Sequence, residues 1–283
     1  MIRSFTAVPA TALALGAVGL WSLLALLAVR LAEVPPFLLL GLCLGGAGVL
    51  ALPAWRKWRV APSTVLLGVY GLFGFHLLLF LALRRAPAVE ANLVNYLWPL
   101  LIVVLAPVLL PRIRLTWRHM VAVSLGLLGA ALLITGGRWT FSSEYWQGYA
   151  LAGGSAFVWA TYSLLTRRVA NFPTAAVGLF CLVSGLLALA CHALLEPRFT
   201  PSPEQGLLMA LLAIGPMGAA FFLWDAALKR GDPRTIGALS YLTPLGSTAC
   251  LLVAGVGTAS PIIAVATLLI VGGAVLGTAR AAE

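Results

Sequence analysis

Tyr96-Leu97-Trp98-Pro99-Leu100 returns 145 positions later as Tyr241-Leu242-Thr243-Pro244-Leu245, and Arg85 matches Arg230 at the same offset. A proline inside an apolar helix has no backbone N–H to donate, so Pro99 frees the carbonyl of Asn95 and Pro244 that of Ser240. In hydrocarbon a free carbonyl is costly unless protein or a water-filled cavity satisfies it. Toward the N-terminus, Trp21, Leu26, Leu27, Arg30, Ala32 and Pro35 align with Trp159, Leu164, Leu165, Arg168, Ala170 and Pro173 at an offset of 138. The difference of seven residues falls in the polar connection Glu196-Pro197-Arg198-Phe199-Thr200-Pro201-Ser202-Pro203. The chain is therefore read as two copies of one unit, 1–140 and 141–283.

Composition says what the unit is made of. Of 283 residues 61% are hydrophobic and only 9% charged, with a mean hydropathy of +1.03, which excludes a water-soluble globule. Charges arrive in bunches between apolar runs long enough to cross a bilayer. Spans are predicted near 8–29, 36–54, 63–83, 89–110, 117–135, 146–166, 174–195, 206–228, 235–255 and 260–279. The expected fold is an all-α polytopic membrane protein with ten transmembrane helices in two five-helix repeats. The last two spans are parted only by the turn residues Gly255, Gly257, Ser260 and Pro261. The first span is expected to be retained, since its apolar stretch exceeds a signal h-region and has an internal counterpart.

Cytoplasmic loops carry the excess of Lys and Arg. With ten spans, thirteen of the eighteen fall on the side of the N-terminus: Arg3, Arg56, Lys57, Arg59, Arg112, Arg114, Arg118, Arg167, Arg168, Lys229, Arg230, Arg234 and Arg280. Arg30, Arg84, Arg85, Arg138 and Arg198 fall on the other side, with Glu33, Glu90, Glu144, Glu196 and Glu204. Both termini are thus expected to be cytoplasmic. The net charge of +10 is dispersed in pairs and triplets, unlike the continuous basic face that binds nucleic acid. Cys43, Cys181, Cys191 and Cys250 lie in predicted spans without metal-ligand spacing and read as small packing residues.

Five spans per copy is an odd number, so the second copy must start from the opposite side of the membrane. Inverted repeats suit alternating access around a midplane site, and paired broken helices at matching positions point to that site. Pro99 and Pro244 are such a pair. Near them Asn95, Tyr96 and Trp98 concentrate groups that lipid cannot satisfy, while Tyr241 is the counterpart of Tyr96. His76 lies midway along the third span, where an imidazole is costly enough to be a functional candidate. Trp159 and Tyr162 share a helix face, and Trp21 is the counterpart of Trp159. Asp225 reads as the i,i+4 partner of Lys229, with a proton or cation site as the alternative, and Glu90 as a structural carboxylate at a helix N-terminus.

These strings resemble the EamA-type branch of the drug/metabolite transporter superfamily. Asn95-Tyr96-Leu97-Trp98-Pro99 with His76 is most similar to its bacterial aromatic amino acid exporters. The resemblance implies a basket-shaped, monomeric carrier in a bacterial inner membrane that moves aromatic and other neutral amino acids outward. It needs no cofactor or metal and has the bilayer and a small amino acid as partners. It carries over His76, Tyr96 and Trp98 as cavity residues; Trp21, Asn95, Trp159, Tyr162 and Tyr241 are added from the repeat and from facing arguments. A zwitterion would find acceptors in the carbonyls of Asn95 and Ser240 and donors in His76, Asn95, indole and phenol. Without a secure midplane carboxylate, facilitated movement without strong ion coupling is expected. Efflux of drugs or another small metabolite, a passive channel and an intramembrane enzyme are the alternatives. No H-E-x-x-H, no G-x-S-x-G and no paired carboxylates support the last.

Overall fold

The computed structural model describes residues 8–111, 113–138, 141–169, 171–256 and 258–279. Arg3, Arg112 and Arg280 of the charge count, Ala170 of the repeat and Gly257 of the last turn lie outside the described residues. The long helical runs are α1 (Ala10–Arg30), α2 (Pro36–Leu50), α3 (Pro62–Leu83), α4 (Ala88–Leu109), α5 (Trp117–Thr135), α6 (Trp146–Leu165), α7 (Thr174–Leu195), α8 (Pro203–Arg230), α9 (Pro233–Val253) and α10 (Pro261–Thr278). Among the described residues there is no β-strand. Eight of these runs are long and apolar enough to cross a membrane. The other two are α2, with only 15 residues, and α6, which is broken up by Gln147, Tyr149, Ser155, Thr161 and Ser163.

Local chemistry sets where the helices start and stop. Proline occupies the first turn of α2, α3, α8, α9 and α10, where its missing N–H costs nothing. The Asp232 side chain caps α9 by accepting from the Arg234 amide at 2.9 Å. Ser202 and Gln205 close a reciprocal capping box at the start of α8. α5 ends on Gly136 and Gly137 with φ of +59° and +78°, left-handed values that glycine adopts without a Cβ clash.

Besides the interruption of α1 at Leu23, four interruptions inside the helices recur at one spacing. A π-helical turn spans Tyr70–Gly74 in α3 and Gly215–Ala219 in α8. α4 breaks between Ala88–Asn95 and Trp98–Leu109, and α9 between Pro233–Ser240 and Leu242–Val253. Both turns and both breaks are 145 residues apart, the offset of the Tyr-Leu-x-Pro-Leu string. Pro99 and Pro244 explain the breaks as the sequence predicts. Pro216 removes a donor in one π turn; in the other the Leu72 carbonyl meets the His76 ring, with Nδ1 at 2.6 Å.

Each half contributes to three seams in which a helix meets its own counterpart. α2 packs on α7, α4 on α9 and α5 on α10. In the first seam Gly41 faces Leu189, Gly45 faces Gly185 and Gly48 faces Leu182, so the two helices run antiparallel. α5 and α10 also run antiparallel, with Gly129 against Ala266 and Ile270 and Gly273 against Ala122 and Gly126. Small residues let these backbones approach, which is how helices gain contact in lipid. Further contacts come in matched sets: α1 on α8 with α6 on α3, and α4 on α6 with α9 on α1. Large apolar side chains such as Leu66, Val108, Leu194 and Leu268 are exposed on the outside of the bundle, as lipid contact requires.

Charges gather at the two ends. At one end Glu196, whose side chain is 1% exposed, pairs with Arg84 at 3.5 Å and His192 at 2.9 Å. It also accepts the Phe37 and Leu38 amides at 3.0 and 3.2 Å, capping α2. Arg30 and Glu204 lie 3.8 Å apart. At the other end Arg234 donates to the Arg114 carbonyl and Arg167 to the Gly231 carbonyl at 2.7 Å. The Arg and Glu residues of each group are ones that the charge count assigns to one face.

Candidate substrate site

Four indoles occupy the middle of the bundle. Trp21 of α1, Trp98 of α4, Trp159 of α6 and Trp224 of α8 are all buried. All six pairs have ring centroids between 5.2 and 6.4 Å apart. Phe221 joins Trp21 and Trp159 at 6.1 and 5.7 Å, and Tyr162 lies 5.4 Å from Trp159. Most of these contacts are edge-on or tilted, the arrangement that aromatic quadrupoles prefer. The result is an apolar, polarisable cage built by both halves.

Two indole N–H groups are pinned. Trp21 Nε1 donates to the Pro216 carbonyl in the π turn of α8 at 3.1 Å, and Trp224 Nε1 donates to the Ser163 hydroxyl at 3.1 Å. His76 borders the cage, 4.9 Å from Phe75 and 6.5 Å from Phe221. Its Nδ1 approaches the Leu72 carbonyl, which only a protonated nitrogen can satisfy, so in the neutral ring Nε2 is the acceptor.

Thus His76, Trp21, Trp98, Trp159 and Tyr162 are brought together. Asn95, Tyr96 and Tyr241 are held otherwise. Asn95 Oδ1 accepts from the Ser155 hydroxyl at 3.0 Å. Tyr241 is fully buried in a second apolar cluster with Val103, Ala122, Val123 and Ile270, and its hydroxyl donates to the Tyr96 carbonyl at 3.2 Å. Sequence reasoning missed Phe75, Phe221 and Trp224. A signal for the last two existed: Phe221 is 145 residues after His76, and Phe221 and Trp224 repeat the i,i+3 spacing of Trp159 and Tyr162. Three repeat-related pairs now touch across the halves: Trp21 with Trp159, His76 with Phe221, and Tyr241 with Tyr96.

One helical turn beyond Phe221, Asp225 is 2% exposed. Its Oδ2 accepts from Thr174 at 2.6 Å and from Lys229 at 2.7 Å. Lys229 also donates to the Phe172 carbonyl at 2.9 Å and sits 3.5 Å above the Phe172 ring, a cation–π contact. The expected i,i+4 pair is present. A cleft of about 360 Å³ opens where α4 and α6 end, lined by Leu110, Pro111, Ile113, Arg167 and Arg168. Another, of about 340 Å³, lies between α1 and α9 and shares no residue with the cage. Among the described residues no group of three His, Cys, Asp or Glu stands ready to hold a metal ion.

Eight helical runs long and apolar enough to cross a membrane, around a cage built by both halves, are those of a multi-pass membrane protein. The model of the EamA-like transporter family matches residues 8–135 and again 146–278, and the chain belongs to that family. It is similar to the aromatic amino acid exporter YddG of Ancylobacter novellus, at 41% identity over 95% of this chain and 96% of the relative. YddG of Escherichia coli is 26% identical over 57% of each chain. A crystal structure superposes with a TM-score of 0.91 at 42% identity, covering 95% of this chain and 96% of the other.

Proposed function

We propose that the protein exports aromatic and other neutral amino acids across a bacterial inner membrane by alternating access. The observation that carries this is the tetrad of indoles, to which both halves contribute. A flat ring is accommodated there by stacking and by edge contacts, in surroundings that exclude water. The similarity to a protein named as an aromatic amino acid exporter supports the same substrate class.

The exchange of access rests on ten crossings, α1 to α10, in two halves, 1–140 and 141–283, inverted relative to each other. The antiparallel seams between counterparts support inversion, since a parallel duplicate would put equivalent helices in the same direction. Both π turns and both breaks flank the cage and supply points of bending. The termini face the cytoplasm, where the basic excess lies, and a single chain suffices. Transport runs down the amino acid gradient, without strong coupling to an ion.

Purified protein in liposomes tests this directly. Labelled tryptophan should exchange against internal tryptophan with saturation, and without an imposed ion gradient. Accumulation that requires a pH gradient would overturn the uncoupled mechanism. Competition by cationic dyes with none by aromatic amino acids would overturn the substrate class.

A further inference from the structure

Phe221, Asp225 and Lys229 follow one another at i,i+4 along the last turns of α8, so they share one face about 6 Å apart. Phe221 is part of the cage. Asp225 Oδ2 is fully engaged by Thr174 and Lys229, but Asp225 Oδ1 is buried without a partner. A buried acceptor left empty is costly, and a carboxylate oxygen more so. Lys229 in turn spends two of its three ammonium protons, on Asp225 and on the Phe172 carbonyl. The pair therefore holds one spare acceptor beside an ammonium whose remaining side faces only the Phe172 ring, one turn from an aromatic cage.

We propose that Asp225 and Lys229 form the headgroup subsite for a zwitterionic amino acid. Asp225 Oδ1 takes the α-ammonium and Lys229 the α-carboxylate, while the side-chain ring lies toward Phe221 and Trp159. This rests on the aromatic amino acid reading above and makes it more specific. An ion pair with an empty carboxylate oxygen, and an ammonium that can exchange a weak ring contact for a carboxylate, is the complement of a zwitterion. A cationic amine leaves Lys229 unmatched, and an aryl carboxylic acid leaves Asp225 unmatched. Closed packing around Oδ1 in this conformation means that the subsite is reached as the bundle opens toward the end that carries Asp225.

Tryptophan counterflow into proteoliposomes of the full chain, with tryptophan, indole-3-propionate and tryptamine as competitors, tests the assignment. The wild type should prefer tryptophan to either analogue by about tenfold or more, the scale of a charge-assisted hydrogen bond. Asp225→Asn should abolish the preference over indole-3-propionate, and Lys229→Gln the preference over tryptamine. The double variant D225N/K229Q leaves no lone buried charge, so it should fold, and it should bind all three competitors alike. Equal competition by the three compounds in the wild type overturns the proposal without recourse to any variant. So does a monodisperse variant with wild-type preferences. If the wild type exchanges no tryptophan at all, the substrate reading falls as well; normal exchange with unaltered preferences overturns only the subsite.

Discussion

The hydroxyl of Tyr241 donates to the backbone carbonyl of Tyr96 across 3.2 Å, from one half of the chain to the other. The two residues are counterparts in the repeat, and each sits at the break of its own helix. A backbone carbonyl at one interruption is thus met by the side chain that marks the other.

Tyr241→Phe removes that donor from a part-buried carbonyl. The loss should be about 1 kcal/mol, or a fall in Tm of about 2–4 °C. Tyr96→Phe keeps the carbonyl and should not reproduce this loss in a thermal melt of the purified protein.

Substitutions in the cage should lower transport more than membrane yield. Trp98→Phe keeps most of the packing against Trp21, Trp159 and Trp224 but changes the shape of the floor, and should raise KM for tryptophan about tenfold. His76→Ala removes the imidazole beside Phe221 and should reduce exchange with near-normal protein in the membrane. Quantified membrane protein alongside counterflow rates checks both.

The seam between α2 and α7 has no room for a side chain. A Cβ on Gly185 would stand 2.4 Å from the Gly45 nitrogen, a backbone atom that cannot yield without moving the helix. Gly185→Leu should destabilise by about 3 kcal/mol or more and leave little folded protein by size exclusion. Gly19→Ala, with nothing within 4 Å of the added carbon, should be tolerated.

Acid should weaken one cap. Burial raises the Asp232 carboxyl, but the Arg234 side-chain and amide hydrogen bonds outweigh it and hold the group below its ordinary value of 3.8. A carboxyl depressed by folding contributes stability that is complete above its unfolded pKa and is lost as pH falls through the folded one. Asp232→Ala should therefore cost about 1 kcal/mol at neutral pH. The gap in Tm from the wild type should narrow only below about pH 4.

Much of this was legible in the residues. The offsets of 138 and 145 announced the repeat because prolines, tyrosines and tryptophans stand out against leucine-rich sequence. Pro99 and Pro244 located the breaks for a covalent reason that does not depend on packing. The π turns were not legible, since Tyr70–Gly74 contains no proline and owes its form to contacts such as the His76 ring on Leu72. Phe75, Phe221 and Trp224 escaped notice because a phenylalanine or tryptophan in an apolar run has no local mark that separates cage from lipid contact. The short length of α2 was hidden for the opposite reason: its 15 residues run on into Leu52–Lys57 with no change in apolarity until Arg56.

Because α2, α4 and α5 each clasp their own counterpart, the interface between the halves has the form of an isologous homodimer contact. The peptide link between Thr135 and Trp146 then serves mainly to keep the two partners at high effective concentration. A polypeptide cut there into two separately synthesised pieces retains every self-matched seam, and co-expression would reconstitute the carrier from its fragments.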